Sequence, residues 1–91
     1  MNIKVAPSVL AADMAHLADE IGKVKSADYI HIDIMDGHFV PNITMGPAVV
    51  AAIKAVTTIP LDVHLMIENP DRLIPAFCDS GADIVSVHVE A

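Results

Sequence analysis

Ninety-one residues hold one domain at most, and an apolar fraction of 54% with a mean hydropathy of +0.54 is too high for a disordered chain. No uninterrupted apolar run approaches the roughly 18 residues of a membrane span, and the opening "MNIKVAPSVLAADMAH" lacks the basic region and long apolar core of a secretory leader. A net charge of −7 with five scattered Lys and Arg excludes a nucleic-acid-binding stripe, and the single Cys78 excludes an internal disulfide, so the expectation is a soluble cytoplasmic chain that binds neither nucleic acid nor membrane.

The predicted elements alternate. "IKVAPSVL" is a short β-rich run. "DMAHLADEIGKVK" spaces Met14, Leu17, Ala18, Ile21 and Val24 as one helical face, with Asp13 as its N-cap. "DYIHIDIM" is a second strand, and "DGHFVPNITMG" is a loop rich in turn residues. "GPAVVAAIKAV" is a helix with Pro47 in its first turn, and "LDVHLM" is a third strand. "NPDRLIPAFCDSG" is a helix capped by Asn69, opened by Pro70 and closed by Gly81, with Pro75 shortening or bending it. "DIVSVHVE" is a fourth strand. The order βαβαβαβ implies a parallel sheet with right-handed crossovers. "SADYIHID" and "GADIVSVH" form a faint repeat in which Ala-Asp precedes a strand, which supports equivalent βα units.

Strand faces choose between an open sheet and a barrel. On the second strand His31, Asp33 and Met35 share a face, opposite Ile30, Ile32 and Ile34. On the third, Asp62, His64 and Met66 share a face, opposite Leu61, Val63 and Leu65. Central strands of an open α/β sheet are usually apolar on both faces. Two neighbouring polar stripes instead indicate a common interior surface near the C-terminal mouth of a barrel, of which a chain this long supplies about half.

His31, Asp33 and His64 then converge as an imidazole, carboxylate and imidazole set, which suits zinc, manganese, iron or cobalt. Any one of these histidines alone reads better as a buried polar residue with its bonds satisfied. Three donors on matching faces of adjacent strands read better as a metal site.

"HIDIMDGHFVPN", "LDVHLMIENPDR", "APSVLAAD" and "GADIVSVHVEA" resemble the ribulose-phosphate 3-epimerases along essentially the whole chain. The related enzymes acting on allulose 6-phosphate share much of the pattern. The resemblance implies the first half of a (β/α)8 TIM barrel of the ribulose-phosphate-binding kind over residues 1–91. It also implies an isomerase that interconverts D-ribulose 5-phosphate and D-xylulose 5-phosphate by removing the C3 proton through an enediolate. By the same resemblance, Asp33 matches a metal ligand that is also an acid/base group, and His31 and His64 match metal ligands. Ser8 and His64 match substrate contacts, and Met35 and Met66 match methionines packed around the enediolate. Zinc heads the implied metals, the partner is a pentulose phosphate, and a homo-oligomer is expected.

The departure from the family pattern is an aspartate on strand seven and the glycine-rich phosphate loops near strands six to eight, none of which matches a position in this chain. A very weak epimerase is therefore the expectation for these 91 residues, with a non-catalytic half-barrel or assembly module that retains metal as the alternative. Asp36 and Asp62 read equally as loop-ordering or substrate-facing residues, and His38 as a loop residue over the site. His88 and Glu90 can look inward from the fourth strand but read better as structural, His16 reads as solvated, Cys78 as a small buried hydrophobe, and Asp71 and Arg72 as surface charges at a helix start.

Overall fold

The computed structural model describes residues 4–9 and 16–91. Its frame is three parallel strands in the order β1 (Ile30–Met35), β2 (Leu61–Met66) and β3 (Ile84–Val87). The helices α1 (Leu17–Gly22), α2 (Pro47–Val56) and α3 (Ile74–Ser80) alternate with them. This is the βαβαβ order of a partial (β/α) barrel.

Register between β1 and β2 follows the alternation of the sequence. Ile30, Ile32 and Ile34 stand beside Leu61, Val63 and Leu65, and all six are buried. Val50 and Ile53 of α2, Phe77 of α3 and Ile21 of α1 complete the core on that side. The opposite face carries the pairs His31–Asp62, Asp33–His64 and Met35–Met66, all half-buried. The sheet is thus covered by helices on one face and polar on the other.

The first predicted strand is represented, among the described residues 4–9, by one parallel bridge between Ser8 and His31. The segment still runs along β1: His31 N–H donates to the Pro7 carbonyl at 2.9 Å, and Asp28 N–H to that of Val5 at 2.9 Å. The predicted first helix is shorter than its pattern. Gly22, which costs about 1 kcal/mol relative to Ala inside a helix, ends α1, and the chain continues in turns. Asp13 and Met14 lie outside the described residues.

Pro75 divides the third predicted helix. It has no N–H, and its ring clashes with the carbonyl four residues back. The chain therefore makes a 3₁₀ turn over Pro70–Arg72 and restarts as α3 with Pro75 in the first turn. Asn69 is no side-chain cap; it takes the left-handed conformation at φ 49° and accepts Arg72 N–H through its carbonyl. Gly81 ends α3 at φ 116°, where an added Cβ would stand 2.6 Å from Lys54 Cγ.

The Ala-Asp repeat has a physical basis. Asp28, at the foot of β1, accepts Val5 N–H through Oδ2 at 2.7 Å. Asp83, at the foot of β3, accepts Leu61 N–H at 2.8 Å. Each aspartate also donates its own N–H back, to the Val5 and Leu61 carbonyls respectively. In both repeats a carboxylate pins the start of one strand to the start of its neighbour.

β3 is shorter than expected, ending at Val87; its Ile84 and Val87 are 43% and 46% exposed.

The Leu61 N–H bond, then the Lys54 ammonium at 3.0 Å, hold the Asp83 carboxyl below the ordinary carboxylate range, with desolvation opposing them. A depressed pKa contributes stability above the unfolded value near 3.9 and loses it as pH falls through the folded value. Asp83→Asn should therefore lower the melting temperature at pH 7. The loss should be about 1 kcal/mol after allowing for solvent screening, or roughly 4–8 °C. Thermal unfolding at pH 7 and pH 3 checks this: the gap between variant and parent should narrow in acid.

Candidate metal centre

The polar face of β1 and β2 brings together all four residues singled out as site residues. Asp33 is the hub. Its Oδ1 lies 2.9 Å from His31 Nε2 and 3.2 Å from His64 Nδ1, and its Oδ2 accepts from the Ser8 hydroxyl at 3.3 Å. Period-two geometry places His31 and Asp33 side by side on β1, and the parallel register sets His64 beside Asp33. Ser8 reaches them from the segment bridged to His31.

One nitrogen from each of His31 and His64 and one oxygen of Asp33 all lie within 4.8 Å of one another. Two ligands about 2.1 Å from one ion stand about 3.0 Å apart at right angles and about 3.4 Å apart at the tetrahedral angle of zinc, a range near the 2.9 and 3.2 Å found here. Donor types and spacing both fit a divalent transition metal or zinc.

Each imidazole is also engaged on its far side. His31 Nδ1 lies 2.9 Å from Asp62 Oδ2. His64 Nε2 lies 2.8 Å from His88 Nε2, one ring donating to the other, with the rings stacked at 4.8 Å between centroids. Desolvation works against a charge on His31, but hydrogen bonds to Asp62 and Asp33, and their charges, outweigh it and raise the pKa of the ring. Met35 and Met66, neighbours in register, border the cluster at the C-terminal ends of the strands.

Of the residues left open by the sequence, Asp36 orders loops. It accepts from the backbone of His38, Phe39 and Glu68 at 2.9 Å each, tying the loop after β1 to the loop after β2. Desolvation pushes its carboxyl up, but the Glu68, His38 and Phe39 N–H groups hold it below the ordinary range. Thr44 fixes the same loop, donating to the Asp33 carbonyl at 2.7 Å and accepting Met35 N–H at 2.9 Å.

His88 stands nearer the cluster than a structural reading implies. Its ring also packs on Phe39 at 5.1 Å, and its Nδ1 lies 3.5 Å from Glu90. Its signal was parity: Ser86 pairs with His64, so the next residue on that face is His88. His38 and His16 are exposed, and Cys78 is exposed where burial was expected. An open groove lined by Lys25, Lys54, Val56, Thr57 and Ile59 lies where the strands start, away from the cluster.

The ribulose-phosphate 3 epimerase family model matches residues 4–91. The chain belongs to that family. It is 67% identical over 91 residues to the ribulose-phosphate 3-epimerase of Bacillus subtilis, covering 98% of this chain and 42% of that protein. It is 58% identical over 87 residues to the enzyme of that name from Mycobacterium tuberculosis H37Rv, covering 96% and 38%. The counterpart from Synechocystis is 56% identical over 91 residues, covering 98% and 40%. This member of the epimerase family thus spans about two fifths of the length of the curated relatives it matches. Among the described residues, no helix is long and apolar enough to cross a membrane.

The cluster makes a direct prediction. His64→Ala should abolish stoichiometric zinc or cobalt binding, while His88→Ala should cost no more than the roughly 10- to 100-fold typical of losing a supporting partner. Isothermal titration of the two variants checks it, and the reverse order would move the metal toward β3.

Proposed function

We propose that the His31, Asp33 and His64 face is part of a metal-dependent sugar-phosphate 3-epimerase site, interconverting D-ribulose 5-phosphate and D-xylulose 5-phosphate. The carrying observation is Asp33: one carboxylate, 15% exposed, held between two imidazoles and a serine hydroxyl on the open face of the sheet. The relatives' shared name favours the pentulose over allulose 6-phosphate.

Epimerisation beside a ketone requires a base on one face of C3 and an acid on the other. In this reading the Asp33 carboxylate takes the C3 proton, and the electron pair of that C–H bond forms the C2–C3 double bond of an enediolate. A bound divalent ion, zinc before iron, manganese or cobalt, supplies positive charge next to the developing oxygen charge. His31 and His64 hold it with Asp33. Ser8 steadies the second Asp33 oxygen and lies where it can contact the sugar. Met35 and Met66 form a thioether wall with no exchangeable proton, which keeps water from quenching the intermediate.

A cytoplasmic, homo-oligomeric enzyme completes the reading. The lone Cys78 suits a reducing compartment. Light scattering reads self-association directly, as a mass above the monomer.

With ribulose 5-phosphate in heavy water, the chain should exchange the C3 proton faster than it forms xylulose 5-phosphate. Asp33→Asn should slow exchange by about 100- to 10,000-fold. Exchange indifferent to Asp33→Asn would remove the aspartate from the chemistry. Efficient inversion would require a second acid within these residues.

A further inference from the structure

We propose that Ser86 is a substrate-binding residue: its hydroxyl meets a free hydroxyl of the sugar, next to the carbons on which Asp33 works. The inference deepens the epimerase reading and rests on it.

The polar face is built in rows across the strands. His31, Asp62 and Ile84 form one row, and Asp33, His64 and Ser86 form the next. Parallel neighbours in register send their side chains to the same face. His88, two residues beyond Ser86 and of the same parity, shows that this face of β3 turns toward the cluster, because its Nε2 stands 2.8 Å from His64 Nε2. Ser86 therefore holds the third place in the row of the proposed acid/base group. Ser8 reaches Asp33 from the other end of that row, through the segment bridged to His31. The two serines bracket Asp33 and His64.

The size and chemistry of Ser86 suit contact with a sugar. β-branched residues, favoured in strands, fill the rest of β3 as Ile84, Val85 and Val87. Ser86 interrupts them with a short polar side chain that is exposed on the open face, and among the described residues none bonds to its hydroxyl. A short side chain there leaves free the space beside His64, one strand spacing or about 4.8 Å away. A serine hydroxyl both donates and accepts, as a sugar hydroxyl does. A pentulose phosphate seated with C2 and C3 against Asp33 and His64 carries hydroxyls at C1 and C4 on either side of the reacting pair. The one that lies over β3 meets Ser86.

The test uses the full 91-residue chain loaded with zinc and ribulose 5-phosphate as the probe. Affinity is read from amide shifts in an NMR titration, and C3 exchange is read in heavy water. Ser86→Ala should weaken ribulose 5-phosphate binding by about 2- to 10-fold, the worth of one neutral hydrogen bond. Ser86→Thr keeps the hydroxyl and should restore most of the loss. Zinc affinity should equal the parent value in both variants, which a damaged fold would not allow. Pentulose phosphates lacking the C1 or the C4 hydroxyl identify the partner: one of the two should bind parent and Ser86→Ala alike. Parent-like binding of ribulose 5-phosphate by Ser86→Ala would overturn the inference, and so would an equal loss for all three sugars. If Asp33→Asn leaves exchange unchanged, or the parent neither binds nor exchanges, the epimerase reading itself fails and the role of Ser86 falls with it.

Discussion

The parallel register of β1 and β2 is the constraint on which the rest of this structure depends. Six consecutive pairs alternate between apolar and polar, and the apolar three are fully removed from water. Burying aliphatic side chains of this size contributes about 1.5–3 kcal/mol each, as an upper figure. Six of them outweigh the roughly 1–3 kcal/mol that an ill-matched polar pair on the other face could cost. The core therefore dictates the register, and the register dictates that His31 meets Asp62 and that Asp33 meets His64. A slip of one residue would turn every polar side chain into the helices.

The electrostatics of the polar face follow from that arrangement. Two carboxylates and two imidazoles alternate across neighbouring strands: Asp62, His31, Asp33, His64, with His88 beyond. No two carboxylates meet without an imidazole between them, so negative charge is concentrated at Asp33 without being left unpaired. The balance suits the proposed roles of this face, which are to hold a cation and to take a proton. The methionines at the strand ends lie beside it, and Asp36 and Thr44 hold the loop after β1 against the same end.

Much of this was legible in the sequence because period-two alternation is a local signal. The bounds of β2 and the sharing of one face by His31, Asp33 and His64 both came from it. Helix ends were less legible. Gly22 and Pro75 each compete with a longer helical pattern, and in both cases the backbone constraint won over the spacing of apolar residues. Partners were harder still. Whether Asp62 ordered a loop or faced the site depended on which residue stood beside it, and only the register with His31 decides that. His88 lies past the last paired residue of β3; parity places it on the polar face, but its contact with His64 depends on the tertiary structure. The Ala-Asp repeat was visible as text, but its meaning lies in the cross-strand bonds of Asp28 and Asp83.

The central claim is that the polar face of the β1–β2 pair is a metal centre built from those register partners. Anomalous diffraction from crystals of the chain grown with zinc tests it most directly. A single strong peak should lie within bonding distance of His31 Nε2, His64 Nδ1 and an Asp33 carboxylate oxygen, with Asp62 still on His31 Nδ1. A peak held by other residues, or none on this face at saturating zinc, would contradict it.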